Sequence, residues 1–182
     1  LVAPERGSVL HPLALTMGDP AGIGIEITLR AWLARTSCGI RPFVFFADPA
    51  DVKRRAADLG LAVEIATVAS PADAVPVFDT QLPIIAVPLA EPSRAGQPSL
   101  ANANAVIASI DRAVAAVAAG DASAIVTCPI AKSVLYGAGF RHPGHTEYLA
   151  HLAGLHWSCD EPRPVMMLAG GGLRVVPLTV HL

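Results

Sequence analysis

Four short stretches carry residues whose types and spacing suit chemistry on a small polar molecule. The first is LTMGDPAGIGIE, Leu15 to Glu26, where Gly18, Gly22 and Gly24 let the backbone turn sharply or approach a ligand, with Asp19 as the acid of the loop. The spacing is neither GxGxxG nor a loop ending in GK[ST], so the dinucleotide and P-loop phosphate cradles are both excluded. Asp19 also reads as a turn residue that bonds its own loop's amides. The second stretch is HPGHTEYLAHLAG, His142 to Gly154. Gly144, His145 and Thr146 stand at a helix start, where free N–H groups and the helix dipole favour an anion. His145 and Thr146 there suit a phosphate ester or polar substrate; the plainer reading makes Thr146 a helix cap and His145 a surface side chain. The third is TCPIAK, a strand end, a proline turn and Lys132, which could balance a phosphate or carboxylate charge or simply be solvated. The fourth is His181, after an apolar strand; one histidine does not define a metal site, which takes three or four ligands. His11, His151 and His156 read as exposed or satisfied side chains.

The elements that must position these residues follow from the apolar pattern. Leu13 to Met17 reads as a buried strand running into the glycine loop, with a helix from about Ile25 to Ala34 after it. Pro42 opens a strand, FVFFA, and Asp48-Pro49 opens a helix to about Leu59, with Asp48 as cap and Pro49 in the first turn. Leu61 to Ile65 is a third predicted strand and Leu82 to Val87 a fourth. EPSRAGQPS between them and the next helix reads as a surface loop. Ser99 is placed to cap an Ala-rich helix from about Ala101 to Ala119 that closes at Gly120. Ala124 to Thr127 is a further strand, then come a short helix and another over about Glu147 to Ala153. VMMLA and LRVVPLTVHL around Gly170-Gly171-Gly172 read as a β-hairpin. Strands alternating with helices predict an α/β sheet covered on both faces, and the antiparallel hairpin predicts that it is mixed. The domain expectation is a first α/β domain over 1–127, incomplete without a C-terminal return, and the start of a second over 128–182. The chain stops in or at the end of an apolar strand, which reads as truncation, disorder or cleavage.

Bulk properties narrow the classes. The chain has 182 residues, 53% hydrophobic and 15% charged, with a net charge of -2. That is a core-forming composition, apolar enough to suggest an interface or a missing partner segment. No basic stripe exists, so nucleic acid is not an expected partner, and runs such as Ala113 to Ala119 fall short of the ~20 residues a membrane helix requires. No secretory signal is visible at the start. Cys38, Cys128 and Cys159 form no CxxC pair; they read as small apolar residues in a reducing cytoplasm.

In this order, MGDPAGIG, TCPIAK, PGHTEYLA and LRVVPLTVHL resemble the 4-hydroxythreonine-4-phosphate dehydrogenase family of pyridoxal phosphate biosynthesis, from Leu13 to Leu182. The resemblance implies a three-layer αβα, isocitrate/isopropylmalate dehydrogenase-like fold. It implies a homodimer with metal sites shared between subunits, and NAD or NADP with a divalent metal (Zn, Mg or Co). By the same resemblance His145 and Thr146 bind substrate, and His181 is the first of three histidine metal ligands. The catalytic candidates are His145, which orients the substrate and helps move a proton, with Lys132 and Asp19 balancing charge near the cleft. No cofactor-binding residue is assigned. The implied substrate is a small phosphorylated hydroxy acid, 4-phosphohydroxy-L-threonine. The alternatives are phosphothreonate, phosphoerythronate or a cis-dihydrodiol acid, or a non-catalytic phosphate-binding relative. Two departures stand out: Ile25 where the family has proline, and Ala131 where it commonly has Asn or His.

Overall fold

The computed structural model describes residues 11–158 and 162–177. It divides into two compact units, one reaching to Arg141 and the other opening at His142. The boundary expected from the sequence lay at residue 127; in the structure the TCPIAK segment and the short helix after it belong to the first unit.

The first unit is built on five parallel strands in the order β3-β4-β2-β1-β5. They are β1 (Leu13–Thr16), β2 (Phe43–Ala47), β3 (Ile65–Thr67), β4 (Leu82–Ala86) and β5 (Ala124–Thr127). Helices α1 (Gly24–Leu33), α2 (Arg35–Cys38), α3 (Pro49–Asp58), α4 (Ala74–Val77), α5 (Ala103–Ala118) and α6 (Lys132–Gly137) connect or follow them. Crossovers from β1 to β2 and from β4 to β5 run in opposite directions across the sheet. With right-handed connections their helices fall on opposite faces, giving the αβα layering.

Local chemistry explains most of these elements. β2 is buried along its whole length, as a parallel strand covered on both faces should be. α3 begins where Asp48 Oδ1 accepts from the amides of Ala50 (2.8 Å) and Asp51 (3.1 Å), with Pro49 in the first turn. Ser99 caps as expected, its Oγ accepting from Ala101 N at 3.2 Å, but it caps a 3-10 turn, Leu100–Asn102, that leads into α5. Taken together Leu100–Ala118 is long and apolar enough to cross a membrane by length and composition alone. Its buried stripe, including Val106, Ile110 and Val114, is part of the core. On the sheet side, Ser109 Oγ donates to Phe46 O (2.8 Å) and accepts from Met17 N (3.0 Å).

Two expectations are corrected. The third strand lies later than Leu61 to Ile65: pairing with β4 starts only at Ile65, opposite Leu82, while Leu61 and Val63 are partly buried flanking residues packed on the core. The predicted hairpin exists as β6 (Leu168–Gly170) and β7 (Leu173–Val175), antiparallel, but as its own two-stranded sheet in the second unit. The five-stranded sheet is therefore wholly parallel. The second unit also contains α7 (His145–Trp157), which starts two residues earlier and ends four later than its sequence pattern predicts.

Candidate functional site

In an open parallel sheet the ligand crevice lies beyond the strands' carboxyl ends, where the strand order reverses. Here the reversal falls between β1 and β5. It therefore brings the MGDPAGIG loop, which follows β1, beside the CPIAK segment, which follows β5. Two motifs more than a hundred residues apart become neighbours because Leu13 to Thr16 pair in register with Ala124 to Thr127. Asp19 N donates to Pro129 O at 2.8 Å. The approach is too close for side chains. A Cβ on Gly18, which has φ +66°, would lie 2.4 Å from Pro129 O; one on Gly24 would lie 2.4 Å from Met17 O.

Of the candidates in this unit, Asp19 is buried, and its Oδ1 accepts from Ala21 N at 2.8 Å. Its geometry is that of the loop-bonding turn residue. Lys132 is exposed, at the first position of α6. Cys128 is buried beneath the glycines, with its thiol pushed up by burial, an effect opposed by the hydrogen bond with Thr28. Of the other cysteines, Cys38 is exposed and Cys159 lies outside the described residues.

Sequence reasoning missed what grips this loop. Asp51, at 3% exposure, accepts from Ser93 N (3.0 Å) and Ser93 Oγ (2.6 Å) and pairs with Arg54. Ser93 Oγ also approaches Pro20 O at 3.1 Å, and the buried Arg55 donates to the same carbonyl at 3.2 Å. Gly96 N donates to Ala21 O at 2.8 Å. EPSRAGQPS is thus a turn docked onto the glycine loop, and the two border an open cavity of about 780 Å³ that includes Arg54, Arg94 and Gln97. The Asp51–Arg54 pair at i, i+3 on a helix was the one visible signal.

In the second unit Gly144 occupies the N-cap of α7 in extended backbone, with no side-chain cap. Thr146 sits inside the first turn, exposed, so it does not cap the helix. His145, Thr146 and Glu147 form the first turn of α7. Thr146 also borders an open groove with Leu149, Ala153 and Met166. His142, Tyr148 and His151 form a ring cluster behind this turn, another feature the sequence pattern did not reveal. His151 and His156 are exposed. The expected metal ligand His181 lies outside the described residues. Among the described residues no group of three or more His, Cys, Asp or Glu side chains could hold a metal ion.

Known proteins match this chain. The family model "Pyridoxal phosphate biosynthetic protein PdxA" matches residues 39–182. A 4-hydroxythreonine-4-phosphate dehydrogenase from Methylorubrum populi is 50% identical, over 94% of this chain and 49% of its own length. A crystal structure of a 4-hydroxythreonine-4-phosphate dehydrogenase from Burkholderia phymatum superposes with a TM-score of 0.83 at 29% identity, covering 96% of this chain and 51% of that one. A terephthalate 1,2-cis-dihydrodiol dehydrogenase from Burkholderia xenovorans matches with a TM-score of 0.64 at 27% identity, over 91% of this chain and 47% of that one. The chain spans about half the length of the curated relatives it matches.

Proposed function

The chain belongs to the pyridoxal phosphate biosynthetic protein PdxA family, and from that premise we propose that it works within a dehydrogenase of a small phosphorylated hydroxy acid. The substrate is 4-phosphohydroxy-L-threonine. Its secondary alcohol gives hydride to NAD or NADP and a proton to a base, and the resulting 3-oxo acid loses CO2 to give 3-amino-2-oxopropyl phosphate. The observation that carries this reading is the GHT turn: a helix start without a side-chain cap, inside the segment matched by the family.

The residues in hand bind and orient. The first turn of α7 and the Thr146 hydroxyl hold polar groups of the substrate, since the N-terminal end of a helix dipole favours negative charge. His145, one position before Thr146, orients the substrate and takes part in proton movement. Asp19 fixes the glycine loop through its bond to Ala21 N, and Lys132 stands exposed at the start of α6. Resemblance adds a divalent metal with His181 as a ligand, shared across a homodimer in the cytoplasm. Among the described residues no group of three or more side chains composes a metal site.

A second reading has specific support in the cis-dihydrodiol dehydrogenase relative: oxidation of a cis-dihydrodiol acid. Formation of NAD(P)H, followed at 340 nm with the full-length protein and added divalent metal, separates the readings. Turnover of 4-phosphohydroxy-L-threonine, lost on chelation, supports the first. Preference for phosphothreonate, phosphoerythronate or a cis-dihydrodiol acid reassigns the substrate. No reduction with any of them leaves a phosphate-binding relative without redox chemistry.

A further inference from the structure

We infer that His142 is a positioning residue, holding the GHT turn in its binding geometry by packing its ring, tilted, against two rings of α7. The inference rests on the reading that His145 and Thr146 hold substrate. Tyr148 and His151 are three residues apart on α7 and therefore share a face; their rings are stacked, 17° from parallel, with centroids 6.4 Å apart. His142 lies before the helix, yet its ring reaches both of them. Its centroid is 4.9 Å from that of Tyr148 and 5.0 Å from that of His151. Tyr148 is 8% exposed, so the platform is anchored in the interior.

This contact closes a short loop. Between the ring of His142 and the start of the helix lie only Pro143 and Gly144. Pro143 fixes its own φ and keeps His142 out of helical backbone. With His142 tied to the second turn of α7, the chain has few ways to enter the helix, and the N-cap backbone of Gly144 is set accordingly. The three-ring cluster does for this turn what a hydrophobic staple does for other helices: it fixes the entry angle. The orientation of His145, Thr146 and their amides is thereby decided by a side chain that need not touch substrate. Rings at these separations attract through both area and quadrupole, and a phenyl ring would keep that attraction where a methyl group would not.

The test compares His142→Ala, His142→Phe and His151→Ala in the full-length protein, reading steady-state kinetics together with hydrogen exchange at the amides of residues 145–147. The expected result is a KM for 4-phosphohydroxy-L-threonine raised about tenfold in His142→Ala, with the KM for NAD(P) unchanged and His142→Phe restored to wild-type values. Exchange at 145–147 accelerates in His142→Ala and not in His142→Phe. A folded His142→Ala protein with wild-type KM and wild-type exchange overturns the inference. If His142→Ala does not fold, His151→Ala decides in the same way, because position 151 is exposed and the variant removes one of the two rings under His142. If the wild-type protein oxidises none of the substrates, the proposed function fails and exchange alone decides: faster exchange in His142→Ala supports the positioning role, and unchanged exchange refutes it.

Discussion

At Gly18 two independent constraints coincide: a positive φ of +66° and a carbonyl, Pro129 O, standing 2.4 Å from where a Cβ would be. Either alone disfavours a side chain, and the second is backbone that cannot swing away. Gly18→Ala is therefore expected to destabilise the chain by roughly 2–4 kcal/mol, read by urea unfolding; an unchanged midpoint would mean the two loops separate at no cost. Cys128, against which Gly18 and Gly24 pack, gives a pH prediction. Burial raises its thiol above the ordinary cysteine range, and the hydrogen bond with Thr28 only partly opposes that. The folded state thus prefers the neutral thiol. Its contribution is complete below the unfolded-state pKa and is lost as pH rises through the raised folded value. Cys128→Ala, which keeps the Cβ, should flatten the alkaline side of the stability profile relative to wild type; identical slopes would contradict this. Asp19 illustrates the limit of residue type as a guide. An acid in a glycine loop suits catalysis or a turn equally, and only the bond to Ala21 N shows which amide it serves.

Among the elements, β2 and α3 were legible because single residues punctuate them: Pro42 before the strand and Asp48-Pro49 after it. The stretch from 61 to 67 was not. Its apolar residues alternate through Leu61, Val63 and Ile65, and pattern alone does not say where a neighbouring strand begins to pair. The start of β4 at Leu82 sets that limit. The glycine loop and the GHT turn were visible as motifs, yet the loop 91–99 that grips the first of them was not. Its role depends on Ser93 meeting Asp51 from a distant helix, a pairing that no local spacing encodes. Ser93→Ala removes a hydroxyl that reaches both Asp51 and Pro20 O. It leaves the buried carboxylate with one donor fewer, so a loss of about 1–3 kcal/mol is expected. Thermal unfolding measures it, and a variant as stable as wild type would show that Arg54 and the backbone amide at position 93 satisfy Asp51 without the hydroxyl.

For the whole molecule, the apolar surface is unevenly spread. In the second unit Leu155, Val165, Leu168 and Leu173 are each more than 60% exposed, and both strands of the hairpin are exposed throughout. Surface of this kind suits cover by further chain or by a second copy, and light scattering separates the two. Replacing Leu168 and Leu173 together by Asp should shift the full-length protein towards monomer in light scattering; a dimer of unchanged affinity would place the interface elsewhere. In the proposed function, substrate is held at the turn that opens α7. Its most direct test is the KM for 4-phosphohydroxy-L-threonine, measured in full-length wild-type protein and in His145→Ala. We predict a rise of tenfold or more, since losing a charge-assisted contact or a small misalignment costs about that much. A His145→Ala enzyme that turns over the same substrate with wild-type KM and kcat would contradict it.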